Sequence, residues 1–327
     1  MKYLVTGGAG FIGSHLASQL AAQQHEVVVL DNFSTGKRTN LTNPDIKLIE
    51  GDIRNFETVC AAVQGVDAIF HQAALCSVPR SVADPLTTHE VNTSGFLNVL
   101  EAARRNGVRR VVFASSSSVY GNSETLPKDE SMPTNPLSPY AVSKLMGEYY
   151  CQLYWNMFGL ETVALRYFNV FGPRQDPGSE YAAVIPKFMQ AILNRAKIQI
   201  YGDGLQTRDF TYVDNVVAAN IAAAQSPAAA GKIMNIACGD RWSLLDLVNH
   251  LESILQCEVP LEFKETRVGD VKHSQASIAS AQELIGYQPK IGFDEGLKKT
   301  VAHFFATVSE GWNAAMPAIA GRRSQAG

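Results

Sequence analysis

The stretch Gly7-Gly8-Ala9-Gly10-Phe11-Ile12-Gly13 constrains this chain more than any other. It follows a short apolar run, Lys2–Thr6, and leads into a helical pattern over 13–23. The spacing satisfies both G-x-x-G-x-x-G and G-x-G-x-x-G. In that setting glycine allows a tight turn, close approach of backbone to a pyrophosphate, and close helix–strand packing. The helix start adds free N–H donors and the positive end of a dipole. A second β-type run over 26–30 ends in Asp31, 18 residues past Gly13. A carboxylate there bonds adenosine ribose hydroxyls and repels a 2′-phosphate, which favours NAD over NADP. Lys37 and Arg38, just beyond, suit a 2′-phosphate and keep NADP as the alternative.

Past the turn, β-type and helical patterns alternate. Strands are expected at Lys47–Glu50, Ala68–His71, 110–114 and 162–168. Helices are expected at 56–63, at 91–106 closed by Gly107, and at 140–157 ending at Gly159. This order implies a parallel sheet covered by helices on both faces. Pro127, Pro133, Pro136 and Pro139 mark a loop, and Ser138-Pro139 reads as an N-cap with proline at the first helical position. The expected fold class is α/β, a Rossmann-type doubly wound parallel sheet with a smaller α/β substrate-binding lobe. Residues 1–170 form the Rossmann domain in this division, and a segment at about 213–237 returns to it. Residues 171–327 form mainly the lobe, and 321–327 lack periodicity and fray.

Composition narrows the classes of function. The 327 residues, at roughly 150 per domain, allow about two domains. Lys+Arg total 28 and Asp+Glu 31, so the formal charge is 28 − 31 = −3, against a nucleic-acid or anionic-membrane binder. Hydrophobic residues at 46% and charged residues at 18% give a large core rather than disorder. Cys60, Cys76, Cys151, Cys238 and Cys257 are scattered and form no C-x-x-C, so a reducing compartment fits better than disulfides or zinc. The seven histidines show no metal-ligand spacing, and no G-x-S-x-G elbow is present. The stretch 215–231 carries Asn220, Gln225, Ser226 and Pro227, and so reads as an Ala-rich soluble helix and its end rather than a membrane span. With no targeting segment in view, the expectation is a soluble, cytoplasmic protein.

Tyr140-Ala141-Val142-Ser143-Lys144 is Y-x-x-x-K, and positions four apart share one helix face. An ammonium near a phenol favours the phenolate, so Lys144 is expected to lower the Tyr140 pKa from ~10 and make it a usable base. Ser115-Ser116-Ser117-Ser118-Val119-Tyr120-Gly121 leaves the fifth strand at its C-terminal end, where open α/β sheets bind ligands. Gly51-Asp52-Ile53 ends the third strand; Asp52 bonds an adenine amine or caps the next helix. His71-Gln72-Ala73-Ala74 ends the fourth, and its small alanines let a dinucleotide lie against backbone.

Together these residues resemble the extended short-chain dehydrogenase/reductase family, in its nucleotide-sugar epimerase branch, over about residues 1–310. The resemblance extends through Leu165-Arg166-Tyr167-Phe168-Asn169-Val170-Phe171-Gly172-Pro173, Tyr201-Gly202-Asp203-Gly204, Arg208-Asp209-Phe210-Thr211-Tyr212-Val213-Asp214 and Arg267-Val268-Gly269-Asp270. It implies a catalytic triad of Ser116, Tyr140 and Lys144, the serine lying four residues before Tyr120. It implies NAD bound by Gly7, Gly10, Phe11, Ile12, Gly13, Asp31, Asn32, Asp52, Ile53, Gln72, Ala73, Ala74, Tyr140, Lys144 and Tyr167. Dehydratases and decarboxylases of the family carry a carboxylate beside the triad serine. Ser117 and Ser118 stand in those places here, which favours simple 4-epimerisation: transient oxidation at C4, rotation of the 4-keto sugar, and hydride return.

For the substrate, the resemblance implies that Arg208 and Arg267 clamp a pyrophosphate through forked guanidinium bonds, each with a structural ion pair as its alternative role. Asp270 takes ribose hydroxyls, Asn169 touches the diphosphate–sugar region, and Ala183 and Val184 line uracil. Ser77, Ser116, Ser117 and Tyr140 face the sugar. Ser274 stands where a tyrosine would block a C2 N-acetyl group. The string His71–Ser81 points the same way, so the UDP-N-acetylglucosamine/UDP-N-acetylgalactosamine pair is the first expectation. UDP-glucuronate, paired by Arg80 or Lys187, and UDP-glucose/galactose are the alternatives. A 4-ketoreductase using exchangeable NAD(P)H, or an NAD-sensing scaffold, would share the fold. Apolar residues on more than one side of helices 91–106 and 140–157 suggest a homodimer through a four-helix bundle, as in relatives.

Overall fold

The computed structural model describes residues 1–176, 183–265 and 272–307. In chain order, the first six strands are β1 (Lys2–Thr6), β2 (Glu26–Asp31), β3 (Lys47–Glu50), β4 (Ala68–His71), β5 (Arg110–Ser116) and β6 (Glu161–Tyr167). The helices among them are α1 (Phe11–Ala22), α2 (Phe56–Ala62), α3 (Val78–Ala83), α4 (Pro85–His89), α5 (Gly95–Arg105) and α6 (Pro139–Phe158). Beyond these come β7 (Val170–Phe171), α7 (Val184–Leu193), β8 (Ile198–Tyr201), β9 (Thr207–Arg208), β10 (Thr211–Tyr212) and α8 (Val213–Gln225). The chain continues through β11 (Lys232–Ile236), β12 (Trp242–Ser243), α9 (Leu244–Leu255), β13 (Leu261–Lys264), α10 (Ala279–Ile285) and α11 (Phe293–Thr307).

A seven-stranded sheet in the order β11-β6-β5-β4-β1-β2-β3 dominates the molecule. Its neighbouring strands are all parallel. Such a sheet is buried on both faces, which explains why its strands are near-continuous apolar runs. Alternation along each strand divides the core. Tyr3, Val5, Val27 and Val29 pack on one face with α1 and α8. Leu4, Val28, Leu30, Val111 and Phe113 pack on the other with α2, α5 and α6. The direction of strand order reverses between β1 and β4, the crevice where a doubly wound sheet takes its ligand.

Local chemistry sets the helix ends. Helix α1 starts two residues before the expected position because Gly10 already occupies the N-cap. Ser138 caps α6 by accepting from the Ala141 amide at 3.2 Å, and Gly159, at φ +68°, closes it. The helix expected over 91–106 begins earlier. Asp84 caps the turn at Pro85, and the chain then runs through a wide turn at Glu90–Ser94 into α5. Phe96, Val99, Leu100, Ala102 and Ala103 of α5 are all buried within this one chain. Among the described residues, the exposed large apolar side chains that lie on helices belong to α3, α4 and α6. No helix among the described residues is long and apolar enough to cross a membrane.

Candidate functional site

At the end of β1 the chain turns through Gly7, whose φ of +67° disfavours any side chain. A Cβ there would come within 2.6 Å of the Ala73 nitrogen, a backbone atom that cannot move aside. At Gly13 a Cβ would run into the Gly7 carbonyl oxygen. Gly10 donates to that carbonyl at 3.1 Å, and the first helical bond of α1 runs from Ser14 to Gly10 at 3.1 Å. The amides of Phe11, Ile12 and Gly13 precede that bond, as an anion-binding helix start requires. Asp31 is buried. Its carboxylate accepts from the Ala9 amide at 2.9 Å and the Phe33 amide at 2.8 Å, bracing the glycine turn and leaving lone pairs for a ribose.

Asp52 accepts from Asn32 at 2.8 Å and from Arg54 at 2.8 and 3.0 Å, and the Arg54 guanidinium holds its pKa down to about 2. Asn55, not Asp52, caps α2, so one of the two roles left open for Asp52 is removed. Ile53 is buried against Gly95, which leaves its backbone as the part that can meet a ligand. Lys37 pairs with Asp176 at 3.2 Å and Arg38 with Glu50, so both cations suited to a 2′-phosphate have carboxylate partners.

The C-terminal ends of β4, β5 and β6 gather the remaining groups. Ser116 follows Ser115 at the end of β5, and its hydroxyl accepts from the Ser118 amide at 3.2 Å and the Ser118 hydroxyl at 2.9 Å. Lys144 is buried and donates to the Ala114 carbonyl at 2.7 Å, with its nitrogen 5.8 Å from the Tyr140 ring centre. Burial pushes the Tyr140 phenol well above its ordinary range, the neighbouring Cys76 thiol adds to this, and a hydrogen bond with Ser116 opposes it. Burial also pushes the Lys144 ammonium down. The direction is thus opposite to the expected depression of the Tyr140 pKa, because burial is the largest influence on the phenol.

The Tyr167 hydroxyl meets Gln72 at 3.0 Å and Asn220 at 2.8 Å. Ala73 lies against Gly7, with Ala74 next along the chain. His71, sealed beneath them, meets Thr6 at 2.8 Å, and burial with the charge of Lys144 drives its pKa far down. Ser77 is the N-cap of α3, accepting from the Arg80 amide at 3.2 Å. Ser117 opens the short turn Ser117–Tyr120 beside the triad. Cys76 and Asn220 were not singled out from sequence as site residues. Neither carries a motif, and each reaches the site only through the fold.

On the substrate side, a cavity of about 650 Å³ is lined by Asn169, Ala183, Val184 and Arg208, as expected, and also by Lys187, Lys197, Tyr201 and Gln206. Neither Tyr140 nor Ser116 lines it. Arg208 donates to the Thr207 carbonyl at 3.0 Å. Ser274 is buried, with its amide on the Thr207 carbonyl at 3.1 Å. Beneath, the buried Asp209 carboxylate accepts from the amides of Cys238, Gly239 and Ala276 at 2.9–3.1 Å, and burial pushes its pKa up to about 7. Arg267 and Asp270 lie outside the described residues.

Residues 3–237 match the NAD dependent epimerase/dehydratase family. The UDP-glucose 4-epimerase of Mycolicibacterium smegmatis is 40% identical over 310 residues, covering 93% of this chain and 98% of that protein. The chain belongs to the NAD-dependent epimerase/dehydratase family, and NAD is its cofactor. Two solved structures narrow the likeness. A UDP-N-acetylglucosamine 4-epimerase from Methanobrevibacter ruminantium, in complex with UDP-N-acetylmuramic acid, superposes with a TM-score of 0.90 at 40% identity, covering 94% of this chain and 98% of that one. A UDP-glucuronic acid 4-epimerase from Bacillus cereus, in complex with UDP-glucuronic acid and NAD, gives 0.87 at 33% identity, covering 94% and 100%.

Proposed function

We propose that the chain is a cytoplasmic UDP-sugar 4-epimerase whose interconverted pair is UDP-N-acetylglucosamine and UDP-N-acetylgalactosamine. The observation that carries this reading is the convergence of Tyr140, Ser116 and Lys144 at the end of β5, with serines and no carboxylate at 117 and 118. The glycine turn, the α1 amides, Asp31, Asn32, Asp52, Gln72, Ala73, Ala74 and Tyr167 would hold NAD, which would supply reversible hydride acceptance at the sugar C4.

As the phenolate, the Tyr140 oxygen takes the C4 hydroxyl proton, and as the phenol it later gives that proton back. Ser116, beside that phenol, holds O4 in line with it. The phenol holds that proton between the two half-reactions. Lys144, on the same helix face, supplies the positive charge that eases its release. Arg208, with Lys187 and Lys197 on the cavity wall, holds the nucleotide diphosphate, and the cavity has the size of a nucleotide site. The segment outside the large sheet acts as the substrate lobe and includes Ser274, whose small side chain leaves room for a C2 N-acetyl group. UDP-glucuronate is the second reading, favoured by the exposed ammonium of Lys187 on that wall.

We further propose a homodimer. Val82, Leu86, Val142, Tyr149 and Leu153 are 42–77% exposed, and α3 and α4 pack against α6, so these side chains form an apolar surface across neighbouring helices. A two-fold pairing of that surface builds a bundle from α6 and the α3–α4 segment of each protomer, rather than from α5. The substrate test is a panel of UDP-N-acetylglucosamine, UDP-glucose and UDP-glucuronate, each incubated without added NAD and resolved by NMR. The C4 epimer of the first is expected to form fastest. Turnover of UDP-glucuronate alone would move the assignment to the second reading, and turnover of none would overturn the proposal.

A further inference from the structure

We propose that Glu148 is a positioning residue for the Tyr140–Lys144 pair, acting through a buried ion pair with Arg166 that clamps α6 to the ends of β5 and β6. Glu148 lies four residues past Lys144 and eight past Tyr140, so the three share a face of α6. Its Oε1 accepts from the Ser115 hydroxyl at 2.5 Å and from Arg166 Nε at 2.8 Å, and its Oε2 accepts from Arg166 Nη2 at 2.7 Å. Ser115 and Arg166 face each other in the β5–β6 register, and the next pair in that register is Ser116 with Tyr167. One carboxylate thus fixes the residues immediately before the triad serine and before Tyr167. On the other side, Lys144 is tied to the Ala114 carbonyl of the same strand. Gly147 lets the helix lie this close, since a Cβ there would strike the Phe113 ring.

Glu148 is 1% exposed and both its carboxylate oxygens are engaged by Ser115 and Arg166, so it acts through these neighbours. Nor is a buried ion pair of this kind a strong source of stability, because desolvation offsets most of the attraction. What a forked guanidinium–carboxylate contact supplies is direction. An apolar pair of similar volume would fill the space but let the helix slide along the strands, and proton transfer to a held sugar is intolerant of such shifts.

The inference rests on the roles proposed for Tyr140 and Lys144, and its test has an arm that needs no sugar. In the double variant Glu148→Met/Arg166→Met the expectation is a folded protein whose KM for the UDP-sugar stays within about threefold while kcat falls about 10²-fold. Its NAD affinity, read by fluorescence titration, is expected to weaken about tenfold. Arg166→Lys keeps both charges but loses the fork, and the same losses are expected if the double variant does not fold. Wild-type kcat and NAD affinity in either folded variant would overturn the proposal. If the wild-type protein turned over no UDP-sugar, the functional reading would fail by itself, and the NAD titration would still decide the role of Glu148.

Discussion

Tyr140, half-buried, and Asp209, fully buried, are both acids whose surroundings oppose ionisation, yet the two have different consequences. Removing the Tyr140 hydroxyl deletes the proposed acid–base group without disturbing the core. Tyr140→Phe is therefore expected to lower kcat by about 10²–10⁴-fold while circular dichroism and melting temperature stay near wild type. Asp209 instead ties the segments at Cys238, Gly239 and Ala276 together. Its folded pKa of about 7 lies above the unfolded value of 3.8, so the native state binds more protons than the unfolded state between these values. Its contribution to stability is full below the unfolded pKa and declines as pH rises through about 7, each tenfold in proton affinity being worth about 1.4 kcal/mol. Urea unfolding at stepped pH is expected to show this decline in the wild type and a flatter profile in Asp209→Asn, and equal slopes would contradict the assignment. Tyr140 and Lys144 could be paired from sequence because four-residue spacing on a helix is local, whereas Ser116 was picked out of the serine run only through the resemblance. The direction of the Tyr140 shift was not legible, because it depends on desolvation by residues such as Cys76 that are distant in sequence.

Among the elements, the strand–turn–helix unit at the N-terminus and helix α6 decide the site. In Gly7→Ala the new methyl would meet the Ala73 backbone at a φ of +67°, so the turn must open. The variant is expected to emerge from gel filtration without NAD, as measured by absorbance of the released nucleotide; normal NAD content would contradict the role given to this turn. Ser138→Ala removes the α6 cap and is expected to cost about 1 kcal/mol, seen as a lower melting temperature. Strands β1 to β6 were legible as apolar runs because both faces of a parallel sheet are buried. The early start of the helix before α5 was not. Pro85-Leu86-Thr87-Thr88-His89 carries little periodicity, and its signal is a cap, Asp84, ahead of a proline. The short strands β7, β9, β10 and β12 were missed because two residues carry no period, and their pairing is set by the lobe around them.

At the scale of the molecule, the sheet supplies a fixed end with the glycine turn and strand ends at one place and the cavity beyond Asn169 at another, and the proposed function assigns NAD to the first and the UDP-sugar to the second. The fold class was readable from element order, since βαβ connectivity leaves few alternatives. The cavity was readable only through resemblance, because Lys187, Lys197 and Gln206 carry no motif and are brought together by packing. The exposed surface on α3, α4 and α6 predicts a scattering mass of twice the 35.5 kDa chain, and Leu86→Glu/Tyr149→Glu is expected to halve it; an unchanged mass would remove that surface as the interface. The central claim is that one hydride leaves the sugar C4 and comes back to the carbon it left. UDP-N-acetylglucosamine carrying deuterium at C4, incubated in ordinary water without added nucleotide, tests it directly by NMR. Full retention of deuterium at C4 in both epimers is the predicted result, and replacement of that deuterium by solvent hydrogen as the epimer forms would contradict it.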